Sequence, residues 1–237
     1  MIPLSDEPRP EGFTPFVGYG LILLNIAAYG LTTAQADGFD ERWAMFHRWG
    51  FTPAEFGPLT LVTSMFVHAN PLHLFGNMLF LWIFCVNVEW CLGRVGFLAA
   101  YLVTGIAGSL AYWAGTDDPE IPVIGASGAV SGILGIYLVA FPTNRIRVVW
   151  LFFGGGTGGT IPAWLAMVVW FGWHDGVPLL TGAGSVDGVA HWAHLGAFAA
   201  GVAFSFVLKR WIAARDGRER PANSRPVAGT WEKYLKR

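Results

Sequence analysis

Six apolar stretches run along the chain, separated by polar or charged segments. They extend from about Phe16 to Leu31, Leu72 to Leu92, Gly96 to Ala114, Ala126 to Phe141, Val148 to Trp173 and Gly188 to Leu208. A helix needs roughly 20 apolar residues to cross the hydrocarbon core of a bilayer. The pattern therefore predicts an all-α membrane protein built as a six-transmembrane-helix bundle over residues 16–208, with a leader at 1–15 and a basic tail at 209–237. The leader is acidic as well as basic (Asp6, Glu7, Arg9, Glu11), unlike a secretory signal, so the first stretch is expected to remain an uncleaved span. The long connection from Thr32 to Ser64 carries Trp43, Phe46 and Trp49, which suit a short helix lying in the headgroup plane. The fifth stretch contains Gly154-Gly155-Gly156-Thr157-Gly158-Gly159 and Pro162, so it is expected to be the least rigid helix.

Composition agrees with the pattern. Hydrophobic residues are 54% and charged residues 13%, with a mean hydropathy of +0.46, which excludes an ordinary soluble domain. The formal net charge of −1 leaves no footprint for nucleic acid. Cys85 and Cys91 lie six apart on one predicted helix, a spacing that suits no disulfide. With the amino terminus inside, the inner side collects Arg9, Arg94, Arg145, Arg147 and the tail, while the outer side holds Arg42 and Arg48. The positive-inside rule then places both termini in the cytoplasm, and a bacterial inner (plasma) membrane is expected.

Two of the predicted helices have faces of small residues. Ser127, Ser131 and Gly135 lie at i, i+4 and i+8 in the fourth span, and His194, Ala197 and Gly201 share a face of the sixth. Such faces let helices approach closely in lipid. One carries a hydroxyl and the other an imidazole. The second span opens with His68, His73 and Asn77, and His73 and Asn77 face the same way at i, i+4. Under the predicted topology Ser127, His194, His73 and Asn77 all fall near the outer leaflet.

A serine becomes a nucleophile when a base takes its proton, and histidine is the usual base. Attack on an amide carbonyl makes an oxyanion, for which Asn77, His73 and the Ser127 N–H are candidate donors. The acidic residue within a predicted span is Glu89, about 18 Å along the helix from Asn77. Asp175 falls in the predicted loop after Trp173, with His174, Gly182, Gly184 and Asp187. The residues therefore predict a Ser–His dyad without a carboxylate. A second reading is a metal-dependent membrane protein using His68, His73, His191 and His194, since imidazoles suit zinc.

Over residues 60–208 the chain resembles the rhomboid family of intramembrane serine proteases. The family's Gly-x-Ser-Gly stands here as Gly125-Ala126-Ser127-Gly128, and its histidine followed seven residues later by glycine as His194 and Gly201. Its His-x4-His-x3-Asn run stands as His68, His73 and Asn77, and Asn87-Val88-Glu89 and Leu92-Gly93-Arg94 resemble its second-span ending. The resemblance implies Ser127 as nucleophile, His194 as base, His73 and Asn77 at the oxyanion hole, and supporting roles for His68, Gly125, Gly128, Gly201 and Glu89. It implies transmembrane protein substrates within a lipid bilayer, cut near the outer face, with no cofactor and no metal. His191 reads as a neighbouring structural group.

Several positions depart from the family. The Trp-Arg pair of the first loop is missing, and Leu59-Thr60-Leu61 stands near its place. Cys85 and Ala197 stand where glycine is frequent, and Ser131 where some members stack an aromatic on the histidine. A proteolytically silent relative that binds membrane proteins is the remaining alternative.

Overall fold

The computed structural model describes residues 1–36, 38–152, 155–182 and 189–219, and helices dominate it. Helix α1 spans Phe16–Thr33 and α2 spans Phe39–Trp49. No residue of α2 is buried, and its Phe39, Trp43 and Trp49 are exposed. The short α3, Thr60–Thr63, leads to α4, Pro71–Gly115. That helix is 45 residues long, but Gly93 inside it has φ 71° and ψ 170°, so it consists of two arms meeting at a sharp break. The arms correspond to the predicted second and third spans. Helices α1 and α4 are long and apolar enough to cross a membrane. Helix α5, Ser127–Ala140, and residues His191–Val207 of α8, His191–Glu219, are shorter and also apolar. The expected tail beyond residue 219 lies outside the described residues.

The all-α expectation needs one correction. Strands β1 (Ile2–Glu7), β2 (Arg145–Phe152) and β3 (Gly155–Pro162) form an antiparallel sheet in the order β1-β2-β3. Ile2 pairs with Val149 and Glu7 with Arg145, and Arg145 in turn pairs with Pro162. The predicted fifth span, Val148 to Trp173, therefore begins as a hairpin. The physical reason is the alternation Arg145-Ile146-Arg147-Val148, in which the arginines are exposed and Ile146 and Val148 are buried. A period of two is that of a half-buried strand. The part of the glycine run from Gly155 to Gly159, which would weaken a helix, is tolerated in β3 at the edge of the sheet. Helix begins only after Pro162: α6 spans Ala163–Phe171, a π-helical turn spans Gly172–Gly176, and α7 spans Val177–Thr181. This continuous helical run carries the chain past Trp173, where a loop was predicted.

Close backbone approach holds the helices in place. A methyl group added at Gly201 of α8 would meet the Gly132 carbonyl of α5, and one added at Gly135 would meet the Phe198 carbonyl. Ala197 is fully buried and lies 3.1 Å from where a methyl at Gly108 would stand, so it packs towards the second arm of α4. Tyr137, Phe84, Ile133 and Ile136 fill the core between α4 and α5.

Buried carboxylates tie the periphery to this core. Glu89, fully buried on the first arm of α4, accepts hydrogen bonds from the N–H groups of Val17 (3.1 Å) and Gly18 (2.8 Å). These are unpaired donors at the positive end of α1, where an anion is stabilised. Asp6 of β1 accepts from Arg9 Nε (2.7 Å), Asn87 Nδ2 (2.6 Å) and the Tyr137 hydroxyl (3.0 Å). The leader is thus bound to both α4 and α5.

Replacing Glu89 by Ala would leave the buried Gly18 amide and the half-buried Val17 amide without an acceptor. We expect a loss of about 2 kcal/mol or more in unfolding measured in detergent, with Glu89→Gln, which retains one acceptor oxygen, losing less.

Candidate active site

The site begins with the turn into α4. Asn70 caps the helix, its Oδ1 accepting from the His73 backbone N–H at 2.9 Å, and Pro71 occupies the first turn, where its missing N–H costs nothing. This cap fixes where the helix starts and so the direction of His73 and Asn77 one turn apart. The loop into α5 is fixed from the other side. Gly125 has φ +113°, a conformation that L side chains rarely adopt, and its N–H donates to the Ser64 carbonyl at 2.9 Å. The Ala126 N–H donates to His68 Nε2 at 3.4 Å. His68 is buried in the connection before α4, and burial, then its neighbour His73, pushes its pKa down to about 4. In this contact His68 Nε2 is the acceptor for the loop that leads into α5.

Ser127 is the first residue of α5. Its Oγ lies 2.8 Å from His194 Nε2, so the hydroxyl and the imidazole share a hydrogen bond across two helices. Asn77 Nδ2 and His73 Nε2 border the same loop. A methyl at Gly125 would lie 2.7 Å from His73 Nε2 and 3.5 Å from Asn77 Nδ2. Asn77 Nδ2 is buried and has no hydrogen-bond partner among the described residues. A free donor beside the loop that leads into Ser127 is what a developing oxyanion would need.

The structure corrects the expectation of a site without a carboxylate. Asp175, fully buried, places Oδ1 2.7 Å from His194 Nδ1 and 3.0 Å from His191 Nδ1. It sits in the π-helical turn between Gly172 and Gly176, at the level of the histidines rather than in a loop. His174 beside it stacks on Trp170 at 4.3 Å and stands outside this cluster. Sequence reasoning missed Asp175 because it started the fifth helix too early and ended it too early. Asp175, His191 and His194 offer ligand atoms within 4.8 Å of one another, enough to hold a divalent cation. The four-histidine set that the metal reading requires is not assembled: His68 and His73 face each other at 5.2 Å, while His191 and His194 turn to Asp175.

The remaining implied residues divide. Gly125 leaves the space that a side chain would take from the His73 ring, and Gly201 seats α8 against α5. Gly128 is in looser surroundings, with only the Gly105 carbonyl at 4.0 Å from an added methyl. Glu89 is structural but remote, capping α1 instead of supporting the site. Ser131, where some family members carry an aromatic under the histidine, is buried on α5, and the His194 ring is instead held by Asp175.

Comparison with known proteins gives one family. The Rhomboid domain family model matches residues 56–211. "Rhomboid protein 1, mitochondrial" from Saccharomyces cerevisiae is 29% identical over 223 residues, covering 90% of this chain and 58% of that protein. "Rhomboid protease AarA" from Providencia stuartii is 32% identical over 148 residues, covering 53% of this chain and 52% of the relative. "Putative rhomboid protease YdcA" from Bacillus subtilis is 35% identical over 78 residues, covering 33% of this chain and 39% of that protein. The chain thus spans between 39% and 58% of the length of these relatives.

The crowding at Gly125 makes a direct test. Gly125→Ala would force a side chain onto the His73 ring at a positive φ, and we expect it to lower stability by about 1–3 kcal/mol. Gly128→Ala, measured in the same detergent unfolding assay, should change stability by less than about 1 kcal/mol.

Proposed function

The chain belongs to the rhomboid family of integral membrane proteins, and from that premise we propose that it is an intramembrane serine endopeptidase cutting transmembrane segments of other proteins. The observation that carries this reading is the 2.8 Å contact between Ser127 Oγ and His194 Nε2. His194 takes the hydroxyl proton as Ser127 attacks the scissile carbonyl. The tetrahedral oxyanion is met by Asn77 Nδ2, His73 and the Ser127 N–H, donors each worth about 3 kcal/mol. His194 then returns the proton to the leaving amine, and water, activated by the same imidazole, releases the acyl group.

Six crossings result if α1, both arms of α4, α5, the run from Ala163 to Thr181, and α8 each traverse the bilayer. Two contacts support this topology. β1 pairs with β2, so the leader and the segment between the fourth and fifth crossings share one side. Glu89, towards the end of the second crossing, caps the start of the first. That side carries Arg9, Arg94, Arg145 and Arg147, and the positive-inside rule makes it cytoplasmic. The positive-inside rule orients the chain and does not choose among membranes, and the expected bacterial plasma membrane has no support from the relatives, which carry mitochondrial and chloroplast names as well as bacterial ones. The Ser127 site then faces the outer leaflet, where water can reach it. A substrate helix must unwind to expose a carbonyl, which glycine-rich segments do at least cost. Displacement of the Ala163–Thr181 run admits it.

Cleavage of a test transmembrane substrate in detergent decides the matter. Wild type should cut it, and Ser127→Ala and His194→Ala should each lose at least about 10³-fold. A fluorophosphonate should label wild type and not Ser127→Ala. Cleavage that survives Ser127→Ala but stops with a chelator would establish the metal reading instead. A cellular effect that survives Ser127→Ala without cleavage would establish the binding reading.

A further inference from the structure

Asp175 is a buried carboxylate that places a single oxygen, Oδ1, within hydrogen-bond reach of two imidazoles. An ionised carboxylate only accepts hydrogen bonds, so both Nδ1 atoms must carry protons. In neutral His194 this leaves Nε2 as the lone-pair nitrogen, and Nε2 is the atom 2.8 Å from Ser127 Oγ. The order of atoms is therefore carboxylate, Nδ1–H, Nε2, hydroxyl: Asp175 to His194 at 2.7 Å, and His194 to Ser127 at 2.8 Å. We propose that Asp175 completes a Ser127–His194–Asp175 triad, with His191 holding the carboxylate in place. The proposal rests on the serine-protease reading of the site. It makes Asp175 and His191 positioning residues, since each acts through the His194 ring.

Two features separate this from a simple tie between helices. A tie would need one imidazole, and His191 already supplies it at 3.0 Å, yet the shorter bond goes to His194. The second is the π-helical turn Gly172–Gly176, in which Asp175 lies. Such a turn takes one more residue than an α turn, so it rotates the residues beyond it by about 100° relative to an uninterrupted helix. Here it holds the carboxylate level with the start of α8. When the serine proton moves to Nε2, His194 becomes an imidazolium with Asp175 already beside it. The carboxylate stabilises that charge and keeps its own proton count unchanged.

The test compares wild type, Asp175→Asn, Asp175→Glu, His191→Gln and Ser127→Ala as full chains in detergent, with folded fraction measured for each. Fluorophosphonate labelling reads the reactivity of Ser127 without any substrate, and cleavage of a transmembrane test substrate reads kcat and KM. Asp175→Asn can present its amide to Nδ1 and so favour the wrong tautomer. It should slow labelling and kcat by about 10²- to 10⁴-fold with KM within about twofold, and Asp175→Glu should recover part of the loss. His191→Gln should show a smaller loss, also in kcat. In protein with ¹⁵N-labelled histidine, wild type should show a low-field Nδ1 proton that Asp175→Asn lacks. Asp175→Asn labelling and cleaving within threefold of wild type, while Ser127→Ala is inert, would overturn the triad and leave the protease reading standing. A loss no greater than the loss of folded protein would overturn it too. If wild type neither labels nor cuts, the protease reading fails and the triad with it.

Discussion

A hydrogen bond between short side chains on different helices is possible only if the helix backbones nearly touch. Serine has one carbon between its backbone and its oxygen, so α5 must bring Ser127 to within reach of the first turn of α8. Glycine makes this possible further along the same pair, where Gly201 meets the Gly132 carbonyl and Gly135 meets that of Phe198. In lipid, helix association cannot draw on the hydrophobic effect between apolar surfaces and depends on such close packing. The 2.8 Å contact of Ser127 with His194 is the local expression of that packing, and the functional reading stands on it.

The same apolar setting governs the charges. A carboxylate buried without partners is costly, so each must gather donors. Glu89 gathers the free amides of α1, and Asp6 gathers a guanidinium, an amide and a phenol. Asp175 gathers two imidazoles. The first two fix the ends of the helices on the side of the sheet, and the third lies at the opposite end of the molecule with the serine. Meeting buried carboxylates with donors accounts for the anchoring of the leader and the seating of α1, and the Asp175 Oδ1 contacts orient the His191 and His194 rings, while Asp175 Oδ2 has no partner among the described residues.

Much of this was legible in the sequence, and the exceptions have physical causes. The small faces around Ser127 and His194, and the i, i+4 pair His73 and Asn77, were readable because helical periodicity places side chains directly. A short helix at Trp43 and Trp49 was readable from the aromatics, and α2 is found there without a buried residue. The sheet was not. Apolar content alone marked Val148 to Phe152 as membrane helix, whereas the alternation beginning at Arg145 is that of a strand. The strand β1 gave still less signal, since its pairing with β2 spans more than a hundred residues of chain. Counting the span from the wrong start ended it before Asp175, so one error of period concealed the carboxylate.

The misplaced span also changes how the site is understood. Asp175 belongs to the helical run that opens after Pro162, and that run is interrupted by a π turn bounded by Gly172 and Gly176. Ser127 and His194 are on helices locked by backbone contact, while the carboxylate is on the helix with the weaker regular structure. If the run from Ala163 to Thr181 moves to admit a substrate segment, as proposed above, the Asp175–His194 contact joins a moving element to a fixed one, whereas the Ser127–His194 contact joins two fixed ones. On that reading the orientation of His194 is complete only when the run carrying Asp175 is seated. The proposed supporting group and the proposed moving element are one piece of chain, a connection that a dyad held by stacking from α5 would not possess.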